Sequence, residues 1–312
     1  MDQMRAYVLF AVGQNYIDKI QILVDYLLRY STYKIVLCYS EGSVTFTNER
    51  LISIYMDIPY VIDFNVGKHK PSSVRNVYLM SFKQNACQLA IQNTKCDEFV
   101  YLDSDVLPTP NIDSMFDVWS EQCTNYPLLS KYPPNYYFIE GRPLVLDKVL
   151  NILGISRNKQ SVYSLCAGFF FFNRNCLPFI KTWSSFIQSK EYIDAFVKPD
   201  EFGNLEICQY TDEGAGNALM WLYDHSKYIA PMVWTSQSNC VKYVLTSYKQ
   251  PTVITFHPDY PQTYAWTPDE YSYPYVGNAS VFPINKNDLF AFHAIKDHKE
   301  FELGIKYVDE LY

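Results

Sequence analysis

Several absences narrow the reading before any motif is considered. No stretch approaches the roughly 18 apolar residues that a membrane-spanning helix needs. The most apolar run, Cys166-Ala-Gly-Phe-Phe-Phe-Phe172, is far shorter and is expected to be a buried strand. No signal peptide is visible: Met1 to Arg5 is polar and leads straight into an apolar strand. A cytoplasmic protein without a transmembrane segment is therefore expected. Basic charge is scarce, with 26 Lys and Arg against 33 Asp and Glu and a net charge of −7. No basic patch stands out, so nucleic acid is not an expected partner. The eight cysteines (Cys38, Cys87, Cys96, Cys123, Cys166, Cys176, Cys208 and Cys240) contain no Cys-x-x-Cys pair, which argues against structural zinc. Their spacing is irregular and several lie in apolar elements, so free thiols in a reducing compartment are expected. No glycine-rich loop follows the first strand, where only Gly13 stands. That counts against a sugar-nucleotide pyrophosphorylase.

What is present suffices for a large core. Of 312 residues, 48% are hydrophobic and 17% aromatic, while only 19% are charged, which is not a disordered composition. The abundance of Tyr, Asn, Ile and Lys fits an AT-rich genome of viral or microbial origin. There is no repeat, low-complexity tract or linker, so residues 1–312 are expected to form one domain. Its first part, about 1–110, would hold a nucleotide and its second, about 111–312, an acceptor. The pattern sets no oligomeric state.

The first hundred residues alternate strand and helix patterns. Ala6 to Val12 is a continuous apolar run, as in a strand covered on both faces. Ile17 to Tyr30 has helical spacing of Ile17, Ile20, Val24, Leu27 and Leu28. Tyr33 to Tyr39 reads as a second strand, Asn48 to Tyr55 as a short helix, and Pro59 to Asp63 as a third strand. Val74 to Ile91 reads as a helix, and Glu98 to Leu102 as a fourth strand ending in Asp103-Ser-Asp105. This order predicts an α/β fold with a Rossmann-like, mostly parallel central sheet flanked by helices. Ligands bind such sheets beyond the carboxyl ends of the strands, where Gly13, Asp63 and Asp103 fall. The second half is more irregular. Strands are expected over Ser161–Phe172, Ile229–Val233, Thr252–Phe256 and Leu289–Phe292, and helices over Leu177–Ser189 and Asp212–Asp224. The Tyr- and Pro-rich segment 251–283 reads as a surface excursion.

Residues i and i+2 of an extended chain point the same way, so Asp103 and Asp105 can present two carboxylates to one point. Mg²⁺ or Mn²⁺ takes such oxygen ligands and keeps open positions for phosphate oxygens. An EF-hand is excluded, because Leu107 and Pro108 stand where a further ligand and a Gly are needed. A haloacid-dehalogenase-like phosphatase also places Asp-x-Asp after an apolar strand and remains the alternative, although about three strands come first here.

At these residues the chain resembles GT-A-fold glycosyltransferases, most closely family 8, which includes glycogenin and lipopolysaccharide galactosyltransferases. Tyr101-Leu-Asp-Ser-Asp-Val-Leu107 followed by Ile112-Asp113 resembles the family's metal-binding segment. Ala167-Gly168 with Phe171-Phe172-Asn173 resembles its Asn-Ala-Gly strand, with Cys166 in place of the first Asn. Asp212-Glu-Gly-Ala-Gly-Asn217 resembles its Asp-Gln-x-x-x-Asn segment, with Glu213 in place of Gln. Phe292-His293 with Lys299 resembles its closing His-x-x-Gly-x-x-Lys motif, with Lys296 in place of Gly. The four segments follow the family's order.

The resemblance implies a metal-dependent transferase that moves a sugar from a nucleoside-diphosphate donor, expected to be UDP-linked. The acceptor would be a hydroxyl of a glycan, protein or small molecule, and anomeric configuration would be retained. Asp103, Asp105 and His293 would hold Mn²⁺ or Mg²⁺, with His257 as rival to His293. Ser104 would lie against the donor, and Lys299, or Lys296 beside it, would bind its phosphate. Asp212 and Glu213 would be the catalytic carboxylates, with either as general base if the reaction inverts instead. Ala167, Gly168 and Asn217 would face the sugars. Ala11, Val12 and Gly13 would let the base lie against backbone, and Asp63 would bind base or ribose. Arg75 and Lys83 sit near the helix before the acidic strand, within reach of phosphate or simply solvated. Trp234 and Trp266 are candidates to stack on an acceptor sugar. A catalytically inactive nucleotide-sugar-binding protein is the remaining alternative.

Overall fold

The computed structural model describes residues 4–59, 79, 81–104, 106–108, 112–131, 151–152, 154, 165–199, 205–207, 212, 215–216, 219, 228–234, 241–245 and 251–256. Every structural statement below concerns these residues.

Strand β1 (Arg5–Val12) is apolar on both faces because it lies inside the sheet, between β2 (Lys34–Ser40) and β4 (Glu98–Leu102). With β3 (Leu51–Tyr55) these strands run parallel in the order β3-β2-β1-β4. The order is continued by β7 (Leu165–Asn173), β6 (Leu128–Lys131), β10 (Tyr228–Trp234), β11 (Val241–Leu245), β12 (Pro251–Phe256) and β5 (Val106–Pro108). The fold is mixed α/β. Its first four strands form the expected parallel half, and most pairings beyond β4 are antiparallel. A separate two-stranded ribbon joins β8 (Val197–Pro199) to β9 (Leu205–Ile207).

Register assigns the faces. Phe10 pairs with Cys38, and the Cys38 thiol contacts the Ala86 carbonyl of helix α2 (Lys83–Asn93). Tyr7, an odd number of residues away, faces the opposite side, where its hydroxyl meets Asp113 and its ring meets Phe116 of α3 (Ser114–Trp119). Tyr101 is level with Val8 and so lies on the α2 side. That side carries an aromatic plate: Phe99 stacks on Phe172 and Tyr101 on Phe170, with centroids 5.0 and 5.1 Å apart. Helix α4 (Leu177–Ile187) lies beside α2 and sets Trp183 against Phe170 at 5.5 Å. Helix α1 (Gln14–Tyr30) buries Ile17, Ile20, Val24 and Leu27, as its spacing predicts. Helix α5 (Lys190–Phe196) follows α4.

Segment 48–55 differs from expectation. It is not a helix. The Asn48 side chain accepts from Arg50 N at 2.9 Å, a local turn, and Leu51–Tyr55 then pairs with β2. The alternation Leu-Ile-Ser-Ile-Tyr suits a half-exposed edge strand better than a helix. Strands β5, β6, β8, β9 and β11 and helices α3 and α5 are not expected from the pattern. Residues 60–63 and 289–292 of the expected strands, and the excursion beyond 256, lie outside the described residues.

The thiols of Cys38, Cys87, Cys96, Cys123 and Cys176 are free and buried, as the irregular spacing suggested. No described helix is long and apolar enough to cross a membrane.

Candidate functional site

The site forms at the carboxyl edge of the parallel strands, on the α2 side. Asp103 follows β4 directly. Its backbone N–H donates to the Gly168 carbonyl of β7 at 2.8 Å. This bond ties the acidic segment to the Ala167-Gly168 segment, two stretches brought together from distant sequence. Ala167 itself is buried, and Gly168 is half-buried.

The Asp103 carboxylate is held from two directions. The Tyr101 hydroxyl donates to Oδ1 at 2.8 Å, and Lys83 Nζ donates to Oδ2 at 2.9 Å. Tyr101 reaches it because residues two apart share a strand face. Burial, together with the Asp103 charge and hydrogen bond, pushes the Tyr101 hydroxyl well above the ordinary tyrosine range, so it stays a neutral donor. Lys83 is the first residue of α2. Its ammonium also lies 3.4 Å from Asp212 Oδ2. That approach is a charge contact whose alignment is too poor for a hydrogen bond, so this buried oxygen accepts none.

One buried ammonium thus joins the two carboxylates. The Lys83 side chain is 7% exposed, Asp212 11% and Asp103 23%. Lys83 is therefore not the solvated lysine that the sequence left open, and Asp103 is the most accessible of the three. Asp212 stands in a helical stretch with Ala215, Gly216 and Leu219. Its carbonyl accepts the Trp183 indole N–H at 2.8 Å.

On the neighbouring strand ends, Ala11 and Val12 are buried, so only their backbone can meet a base. Gly13 caps α1 with φ of 85° and ψ of 151°, a conformation open essentially to glycine alone. Space beside it is open, with no heavy atom within 4 Å of a built Cβ. Its N–H donates to Ser40 O at 2.9 Å, which links the ends of β1 and β2.

Ser104 is half-buried beside Asp103. Trp234 closes β10, and its side chain lies outside the described residues. So do Asp63, Arg75, Asp105, Glu213, Asn217, His257, Trp266, His293, Lys296 and Lys299. Among the described residues, no group of three His, Cys, Asp or Glu side chains converges on a point. Asp103 is a hard oxygen donor with partial exposure, which suits a hard divalent cation.

Tyr101 and Trp183 were not singled out from sequence. The alternation that paired Asp103 with Asp105 could have flagged Tyr101. Nothing local could have flagged Trp183, 29 residues from its partner.

In overall fold the chain is similar to the galactosyltransferase LgtC solved in complex with donor and acceptor sugar analogs. Identity is 16%, coverage 73% of each chain, and the TM-score 0.45. It is also similar to an active-site mutant of LgtC, at 16% identity, 69% coverage of this chain, 70% of that one, and a TM-score of 0.41. No protein-family model and no curated protein sequence matches the chain.

Proposed function

We propose that the chain is a metal-dependent glycosyltransferase that takes a UDP-sugar and transfers the sugar to a hydroxyl acceptor with retention. One observation carries this reading: Asp103, at the carboxyl end of a central strand, is joined through buried Lys83 to a second carboxylate, Asp212, from a distant segment. Donor chemistry needs positive charge beside the diphosphate and negative charge beside the anomeric carbon. This arrangement supplies protein groups for both.

Asp103, with Asp105 and His293, would hold Mn²⁺ or Mg²⁺, and the bound cation would neutralise the departing diphosphate. Tyr101 and Lys83 fix the Asp103 carboxylate, so its geometry is set before the donor arrives. Lys83 also offsets the mutual repulsion of the two carboxylates. Asp212, whose buried Oδ2 faces Lys83, would turn the rest of its carboxylate, in a side chain 11% exposed, toward positive charge at the anomeric carbon or a sugar hydroxyl. The open backbone at Gly13 gives the base a place at the end of β1.

The phosphatase alternative would use an Asp103 oxygen as an in-line nucleophile. Tyr101 and Lys83 each occupy one acceptor position on Asp103, which is compatible with either chemistry, so the assay separates the two readings.

The test is hydrolysis of a panel of nucleotide-sugars with Mn²⁺, with EDTA, and with Asp103→Ala and Asp105→Ala. Release of one nucleoside diphosphate is expected, dependent on metal and falling roughly 100-fold or more in each variant. Absence of both binding and hydrolysis across every donor would refute the reading. Phosphate release from a monoester in the same preparation would put the phosphatase in its place.

A further inference from the structure

Asp212 reaches Lys83 from a segment more than a hundred residues away, so something must hold that segment in register. Trp183, in the middle of α4, is fully buried. Its indole N–H donates to the Asp212 carbonyl at 2.8 Å. One helical turn further along the same segment, Gly216 packs directly on the indole. A Cβ built there would lie 2.4 Å from Trp183 Cζ2 and 2.8 Å from Cε2. Gly216 is therefore a glycine for steric reasons, the close approach of backbone to ring.

The indole is also held by aromatic neighbours. It lies 5.5 Å from Phe170 and 6.0 Å from Phe179. Phe170 stacks on Tyr101, whose hydroxyl holds Asp103. One ring thus contacts both halves of the site: the backbone of Asp212 and the plate that carries Tyr101.

We propose that Trp183, seated against Gly216, is a positioning residue that sets the distance between Asp212 and the Lys83–Asp103 pair. The proposal rests on the transferase reading for its catalytic consequence, while its geometric content is independent of it. Trp183 does not touch substrate. It acts through the Asp212 backbone, and its hydrogen bond fixes rotation of the segment where ring packing alone would allow sliding.

Three variants separate these contributions. Trp183→Phe removes the indole N–H and the Cζ2 edge but keeps an aromatic ring. Gly216→Ala drives a methyl into that edge. In the double variant the methyl enters space the larger ring has left, so the steric conflict is relieved while the hydrogen bond stays lost. Ile180→Val, a small core change on the same helix, controls for general destabilisation.

The first readout needs no activity: native-state acylation of Lys83 followed by mass spectrometry. Trp183→Phe should label Lys83 about three- to tenfold faster, as expected for loss of one hydrogen bond to a buried carbonyl, and Gly216→Ala at least as much faster, because its methyl pushes the segment off the ring. The double variant should fall between Gly216→Ala and wild type, and Ile180→Val should match wild type. Unchanged labelling in both single variants overturns the proposal, whatever the protein's activity.

The second readout is donor turnover. Loss should fall on kcat, about tenfold in Trp183→Phe, with the Kd for nucleoside diphosphate within about twofold of wild type. Faster labelling with kcat per folded molecule unchanged would overturn the positioning role and leave the transferase reading standing. A wild-type protein that turns over no donor would remove the transferase reading, and labelling alone would then decide the geometric claim.

Discussion

Replacing Lys83 with methionine tests the centre of the site most directly. The substitution keeps the length and apolar stem of the side chain and deletes the ammonium that joins Asp103 and Asp212. Two carboxylates would remain on one side of α2, with no cation between them. With Nζ 2.9 Å from one carboxylate and 3.4 Å from the other, the two oxygens are at most about 6 Å apart, and at an effective dielectric near 20 their repulsion is about 3 kcal/mol or more. Stripping one partner from a buried ion pair costs about 3–5 kcal/mol, and the 23% exposure of Asp103 favours the lower end. With an unfolding entropy of about 2.1 cal/mol/K per residue, a loss near 3 kcal/mol in a chain of 312 residues lowers Tm by roughly 4–5 °C. Adding Asp212→Asn removes the second charge and should restore at least half of that fall. Differential scanning fluorimetry at one scan rate, on wild type, both single variants and the double variant, reads the coupling directly. A fall below about 1 °C in Lys83→Met, or a double variant no more stable than Lys83→Met, would refute the claim that one buried ammonium holds the two carboxylates.

Three further outcomes are expected. Gly13→Ala should cost about 1–2 kcal/mol through its positive φ alone, since the space beside it is open; an unchanged Tm would show that the turn adapts. Burial raises the Asp113 carboxyl above its unfolded value, despite the hydrogen bond from Tyr7. A group with a raised folded pKa contributes stability below its unfolded value, near 4, and that stability is lost as pH rises through the folded pKa. Asp113→Asn should therefore gain on wild type in Tm as pH rises from about 4 toward neutrality, and a difference independent of pH would contradict this. Burial pushes the Cys38 thiol up to about 12 and raises Cys87 and Cys123 well above the ordinary range, with the Cys176 contact leading for Cys123. These three should resist iodoacetamide at pH 8 in the folded protein and react on unfolding; rapid native alkylation would place them at the surface.

The elements that read well from sequence share one property: an apolar pattern that burial makes continuous. Ala6–Val12 of β1 and Phe99–Leu102 are continuous apolar runs because the sheet is covered on both faces, and α1, buried on one face, shows its apolar stripe. Elements that were misread or passed over are short, at an edge, or paired late in the sheet. Leu51–Tyr55 is half-exposed, so its alternation is diluted. Val106–Pro108 is three residues long and is a strand only because it pairs with β12, near the far end of the chain.

For the site, local pattern is enough to place Asp103 at a strand end, to mark Gly13 at the end of β1 and to nominate Lys83, whereas Asp212 is nominated by the resemblance of its segment. The first three follow from rules acting over a few residues: side-chain alternation, the permissiveness of glycine, the position of charge on a helix. That Lys83 is buried between Asp103 and Asp212 could not be read from the chain, because burial and pairing depend on how distant segments close over one another. Nor could the contact of Gly216 with Trp183, 33 positions earlier. A glycine in a helical stretch reads as a weak position, and only the ring packed against it makes it necessary. Short-range chemistry is written along the chain, whereas charge compensation and close packing arise only where the fold brings remote segments within a few ångströms.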